Sequence, residues 1–114
     1  MTNADPHSTI GDKDRLKALY EAVQAFRQHD PEITSQAISV LLLIATRPGI
    51  TMLEVGGQVD LSNTASSRNI HKFRNKGDGL GLIRQEEDPA DGRRKLLFLT
   101  AEGERLVSRV LERL

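Results

Sequence analysis

The sequence contains no cysteine, which excludes disulfide scaffolds, thiolate zinc sites, iron–sulfur ligation and any thiol-based redox sensor. Long apolar runs are also missing. The longest, Val40–Ala45, falls far short of the ~20 residues needed to cross a bilayer. The opening stretch, Met1–Gly11, is polar and carries Asp5 and His7 where a signal peptide needs a positive and then an apolar segment. These absences predict a soluble, cytoplasmic protein with no membrane partner. His7, His29 and His71 are scattered, with no pair at ligand spacing, so no metal site and no cofactor are expected. No serine sits in a nucleophile motif. The glycines of 76–81 precede a strand-like run, where a phosphate loop would precede a helix. An enzyme is not expected. Net charge is absent as well: 16 Lys+Arg offset 16 Asp+Glu, for a formal charge of +0. Taken as a single number, that argues against a nucleic-acid binder.

What is present points the other way once it is placed along the chain. The 114 residues suit one domain, since domains typically hold ~100–150. Residues 62–84 carry Arg68, Lys72, Arg74, Lys76 and Arg84 against Asp78 alone, a local charge of +4. Residues 85–92 hold Glu86, Glu87, Asp88 and Asp91, a local charge of −4, and Arg93, Arg94 and Lys95 follow at +3. Two basic clusters therefore sit inside a neutral total.

The apolar pattern is mainly helical. After a tail at 1–11 that reads as disordered, a single domain spans 12–114. Leu16, Leu19, Tyr20, Val23 and Phe26 recur at helical spacing after Asp12, an N-cap candidate, and Asp30-Pro31 ends that helix. Thr34 opens a second helix, apolar nearly all round and hence expected at the centre of the core, which Arg47-Pro48-Gly49 stops. Thr51-Met-Leu-Glu54 is a capping box that opens a short helix, in which Gly56 and Gly57 are expected to permit a close crossing. Ser62 caps a further helix to about Lys76, with Ala65, Ile70 and Phe73 inward. Two strand-like runs, Leu82–Glu86 and Lys95–Leu99, are joined by the turn-rich 87–92 and read as a hairpin with a loop several residues long. Thr100 caps a last helix with the apolar stripe Leu106, Val107, Val110, Leu111 and Leu114.

Two short helices around a tight turn, the second polar and basic outside, make a helix-turn-helix over 51–76, and the hairpin over 82–99 makes it winged. The fold class is thus mainly α with a small β-hairpin wing, a winged helix-turn-helix of the α+β kind. In such a fold the second helix enters the major groove, where Ser62, Asn63, Thr64, Ser66, Ser67 and Arg68 can meet base edges and backbone. His71, Lys72 and Arg74 lie further along, toward the phosphates. Arg93, Arg94 and Lys95 at the wing can reach the minor groove, whose negative potential favours arginine.

These residues resemble the MarR family of winged-helix regulators. The segment Asp88-Pro-Ala-Asp-Gly-Arg-Arg-Lys-Leu-Leu-Phe-Leu-Thr-Ala-Glu-Gly103 looks like that family's wing and the cap of its C-terminal helix. Asp60-Leu-Ser-Asn-Thr-Ala-Ser-Ser-Arg68 is similar to the start of its recognition helix, and Gly81-Leu-Ile-Arg84 to the lead-in to its wing. The resemblance spans about 34–106. It implies that Arg93 is the wing-tip arginine of the minor groove and that Asp91 orients it. It also implies a sequence-specific, double-stranded-DNA-binding transcriptional regulator, a dimeric repressor. Three departures stand out: a longer stretch after Phe73, a chain that stops at Leu114 before the family's long C-terminal helices, and the Gly56-Gly57 pair.

The helices at 12–29 and 101–114 are expected to build a homodimer, because a core this small cannot bury both apolar faces. Its interface would comprise Leu16, Leu19, Tyr20, Val23, Val107, Val110, Leu111 and Leu114. The resemblance also implies a small aromatic ligand between the dimer region and the DNA-binding lobe, although the chain has only Tyr20, Phe26, Phe73 and Phe98 as aromatics. The alternative function is a winged helix used as a protein-interaction module, with little affinity for DNA.

Overall fold

Four helices whose starts are described each begin on a side-chain oxygen that accepts from the backbone three residues on. Asp12 accepts from the N–H of Arg15, Thr34 from Ala37, Thr51 from Glu54 and Thr100 from Gly103, at 3.0–3.1 Å. These bonds satisfy donors that a helix start leaves open, and so place the boundaries. The computed structural model describes residues 11–59, 68, 70–74 and 81–114. Within them the order is α1 (Lys13–His29), α2 (Ser35–Thr46), β1 (Ile50–Thr51) and α3 (Met52–Gln58). Arg68 and the segment 70–73 are helical. The chain continues as β2 (Ile83–Asp88), β3 (Asp91–Leu99) and a C-terminal helix (Ala101–Leu111). Most of the expected tail, residues 1–10, lies outside the described residues.

The three strands form an antiparallel sheet in the order β1-β3-β2. Leu97 sits at its middle, opposite Ile50 on one side and Gln85 on the other. Its side chain joins Leu41, Ile44, Val55, Ile70, Phe73, Leu82, Ile83 and Leu106 in a single buried core. The buried residues of α3, of the helical segment 70–73 and of the wing therefore share one packed interior.

The structure corrects four expectations. The hairpin has no long loop: β2 and β3 run on to Asp88 and Asp91, and only Pro89-Ala90 join them. The turn formers of 87–92 keep pairing because their side chains complete the turn. Asp88 accepts from the N–H of Ala90 at 2.8 Å, and Glu87 faces Lys95 across the ladder. The strand β1 was not expected. Its two residues are too few to show a period, and it exists because Gly49, at φ +89°, turns the chain and donates its N–H to the carbonyl of Leu97 at 2.8 Å. The helix α2 is not buried all round, since Leu42 is 39% exposed. Of the glycine pair only Gly56 is buried, while a Cβ on Gly57 would meet open space. The close approach is at Gly103, where a Cβ would collide with the carbonyl oxygen of Leu82.

Candidate nucleic-acid interface

The wing is built from interleaved charges of opposite sign. Arg93 grips the carboxylate of Asp91 with two prongs, Nε to Oδ1 at 3.1 Å and Nη2 to Oδ2 at 3.2 Å. Its backbone N–H also donates to Asp91 Oδ1 at 3.1 Å. The Arg93 side chain nonetheless stays 92% exposed. Its guanidinium, and then its backbone N–H, hold the Asp91 carboxyl below the ordinary aspartate range. Arg94 pairs with Asp88 at 3.7 Å. Lys95 pairs with Glu87 at 3.3 Å and donates to the carbonyl of Gly92 at 3.2 Å. Exposed pairs of this kind contribute little stability. What they supply is geometry: the −4 and +3 blocks of the sequence lie on one hairpin, and the tip presents an oriented guanidinium. At the wing's base Arg84 lies 4.5 Å over the ring of Phe98 and pairs with Glu86.

Beside the wing stands α3. Its capping box is complete, with Glu54 N–H on Thr51 Oγ1 at 3.1 Å and Thr51 N–H on Glu54 Oε1 at 2.9 Å. The Thr51 backbone donor, then its hydroxyl, lower the Glu54 pKa. Arg47 adds an ion pair to Glu54 at 3.6 Å. An open groove of about 560 Å³ runs between α3 and the wing, lined by Thr51, Met52, Leu53, Glu54 and Arg93 to Lys95.

The helical segment at 68 and 70–73 supplies the other surface. Ile70 and Phe73 are buried and hold it to the core, while Arg68 and His71 are exposed. Lys72 does not stand free as expected for a phosphate contact: its Nζ lies 3.2 Å from Asp30 Oδ2 at the end of α1. Arg74 is half-buried and in the backbone path to the wing. Its carbonyl accepts from Gly81 at 3.3 Å, and that of Phe73 accepts from Leu82 at 2.8 Å. Ser62, Asn63, Thr64, Ser66 and Ser67, like the stretch 75–80, lie outside the described residues.

Sequence reasoning missed two residues at this site, Asp30 and Gly103, and one contact of the helix cap Thr100. Asp30 was read only as a helix end. Gly103 permits the C-terminal helix to lie on the carbonyl of Leu82, and Thr100 Oγ1 reaches the carbonyl of Gly81 at 2.5 Å. No spacing rule signals any of them, because each partner comes from another element.

Away from the wing, α1 and the chain's C-terminal end show an apolar surface. Leu16, Leu19, Tyr20, Val23, Leu111 and Leu114 are exposed, Tyr20 by 62%. Val107 is half-buried. Val110, expected on that face, is only 4% exposed. It stands one helical turn after the buried Leu106 and is used in the chain's own core.

No helix among the described residues is long and apolar enough to cross a membrane. No protein-family model matches the chain. Transcriptional regulator HosA of Escherichia coli O111:H- is 32% identical over 101 residues, which cover 82% of this chain and 72% of that protein. Among solved structures, the PcaV transcriptional regulator from Streptomyces coelicolor, in complex with its natural ligand, superposes with a TM-score of 0.63 at 28% identity. That match covers 99% of this chain and 77% of PcaV. The S. aureus MepR–DNA complex superposes with a TM-score of 0.72 at 22% identity, covering 89% of this chain and 77% of MepR, and shows the shared fold.

Proposed function

The chain belongs to the MarR family of winged-helix transcriptional regulators, and from that premise we propose that it is a cytoplasmic, homodimeric repressor of specific double-stranded DNA sites. The helix that includes Arg68 and 70–73 enters the major groove, and the wing enters the adjacent minor groove. The observation that carries this is the Asp91–Arg93 pair: an exposed guanidinium held in one orientation at a hairpin tip. A cation fixed this way loses little side-chain entropy on entering a narrow, negative groove. The apolar faces of α1 and the C-terminal end support pairing of two copies, which would set two such surfaces on one duplex. Repression then needs only occupancy of the site.

Selection from random duplexes tests the reading. The expected product is a pseudo-palindromic site bound with a steep salt dependence. Arg93→Ala should weaken binding to it. Arg68→Ala should weaken binding and relax base preference, the cost of a base contact being about 1–3 kcal/mol. Absence of any enriched duplex, with both variants behaving as the parent, would falsify the proposal.

A further inference from the structure

We infer that Asp30 is a positioning residue for DNA recognition: it anchors Lys72, and through it the DNA-reading helix, to the corner between α1 and α2. The inference rests on the DNA-binding reading and assigns a role to a residue outside its contact surface.

Asp30 is itself immobilised. It caps the C-terminus of α1, donating its N–H to the carbonyl of Phe26 at 3.1 Å. Its Oδ1 accepts from the N–H of Glu32 at 3.0 Å, and its carbonyl accepts from Ile33 at 3.0 Å. Two bonds thus hold its backbone and one holds Oδ1, leaving the other oxygen, Oδ2, for a partner outside the turn. That oxygen is buried, in a side chain only 14% exposed, and faces the Lys72 ammonium at 3.2 Å. The contact is an ion pair without a well-aligned hydrogen bond, so its strength is Coulombic. A carboxylate so shielded from water is costly without a counter-charge. Lys72 is the cation the structure places there, and moving it to a phosphate would leave Asp30 uncompensated.

The position of the pair gives it consequence. Lys72 precedes the buried Phe73, whose carbonyl accepts from Leu82 at the start of the wing. The α1 end of the pair belongs to the helix whose outer face is apolar and open. One ion pair thus ties the helix proposed for dimer contact to the helix proposed for base reading. A base-reading helix must be held closely, since a small misplacement weakens contacts made only at a matched site.

Two roles for Lys72 predict opposite results, and Lys72→Gln with Asp30→Asn separates them. A phosphate contact requires that Lys72→Gln lower the slope of log K against log salt by about one, and that Asp30→Asn, by releasing the ammonium, raise affinity. Anchoring requires that both variants leave the slope unchanged and both lower the ratio of specific to non-specific binding several-fold. The double variant should then be no worse than either single one. Amide hydrogen exchange of the free protein gives a readout independent of DNA: at 70–73 it should quicken in both variants, while the thermal transition stays cooperative. Failure of the parent to select any duplex removes the functional reading, yet the exchange data still decide the anchor. Unchanged exchange, or a lowered slope in Lys72→Gln with a gain in Asp30→Asn, overturns it.

Discussion

Asp91 and Arg93 are joined by a two-pronged ion pair, closed on the backbone side by the N–H of Arg93 itself. Both residues lie on the same strand, so the pair survives bending of the wing as a whole. It makes the wing tip an orientation device, because the carboxylate cannot turn without giving up three contacts, nor the guanidinium without giving up two.

The first prediction follows from that pairing. Asp91→Ala keeps the arginine's charge but frees its side chain, so specific DNA affinity should fall a few-fold, by less than Arg93→Ala costs. In the parent, Arg93 keeps the Asp91 carboxyl below its ordinary value, near 3.9 for an unperturbed aspartate. A depressed carboxyl contributes what stability it gives at pH values above the unfolded-state pKa and loses it as pH falls through the folded-state value. The wing should therefore be unaffected from neutral pH down to about 5. Carboxyl chemical shifts followed by NMR would contradict this if Asp91 titrated at or above the ordinary value.

The capping box supports a second. Thr51→Ala removes the acceptor for the Glu54 N–H and should cost about 1 kcal/mol. Thermal unfolding should show this as a loss of several degrees in Tm. Thr51→Ser, which keeps the oxygen, should recover most of the loss. Equal losses in the two variants would point to packing of the methyl group in place of capping.

Two glycines in helices should respond in opposite directions to the same change. Gly103→Ala puts a methyl group against the carbonyl of Leu82, and overpacking at so rigid a site should cost about 1–3 kcal/mol or more. Gly57→Ala meets nothing within 4 Å and should stabilise by about 0.5–1 kcal/mol through the lower entropy of the unfolded chain. Chemical denaturation of the two variants side by side measures both signs.

The apolar face gives a fourth expectation. Leu19→Glu places a charge on a surface already exposed in the protomer, so the fold should persist while association is lost. Sedimentation should show a monomer, and affinity for a two-half-site duplex should fall more than tenfold as binding becomes monovalent. Val110→Glu is the contrast. Because Val110 is buried in the protomer, that change should unfold the chain.

The charge pattern shows where sequence reading ended. Four helix starts were legible from Asp12, Thr34, Thr51 and Thr100, since each cap reaches only three residues along the chain. The wing was legible for a similar reason: Asp91 and Arg93 are two residues apart, within reach of one another in any hairpin. Lys72 reads as a phosphate contact because it lies further along the polar, basic outer face of its helix. Its partner, Asp30, arrives only when the end of α1 comes beside the helical segment 70–73 in the folded chain.

The sequence by itself thus determined the fold class, four helix starts and the presence of the wing hairpin, all of which rest on hydrogen bonds and apolar periods within a turn or a hairpin. Only the tertiary structure decided which cations are already neutralised, that Val110 faces inward, that β1 joins the sheet and that Gly103 must remain small. Those facts depend on distances between segments far apart in the chain, which only packing of the core sets.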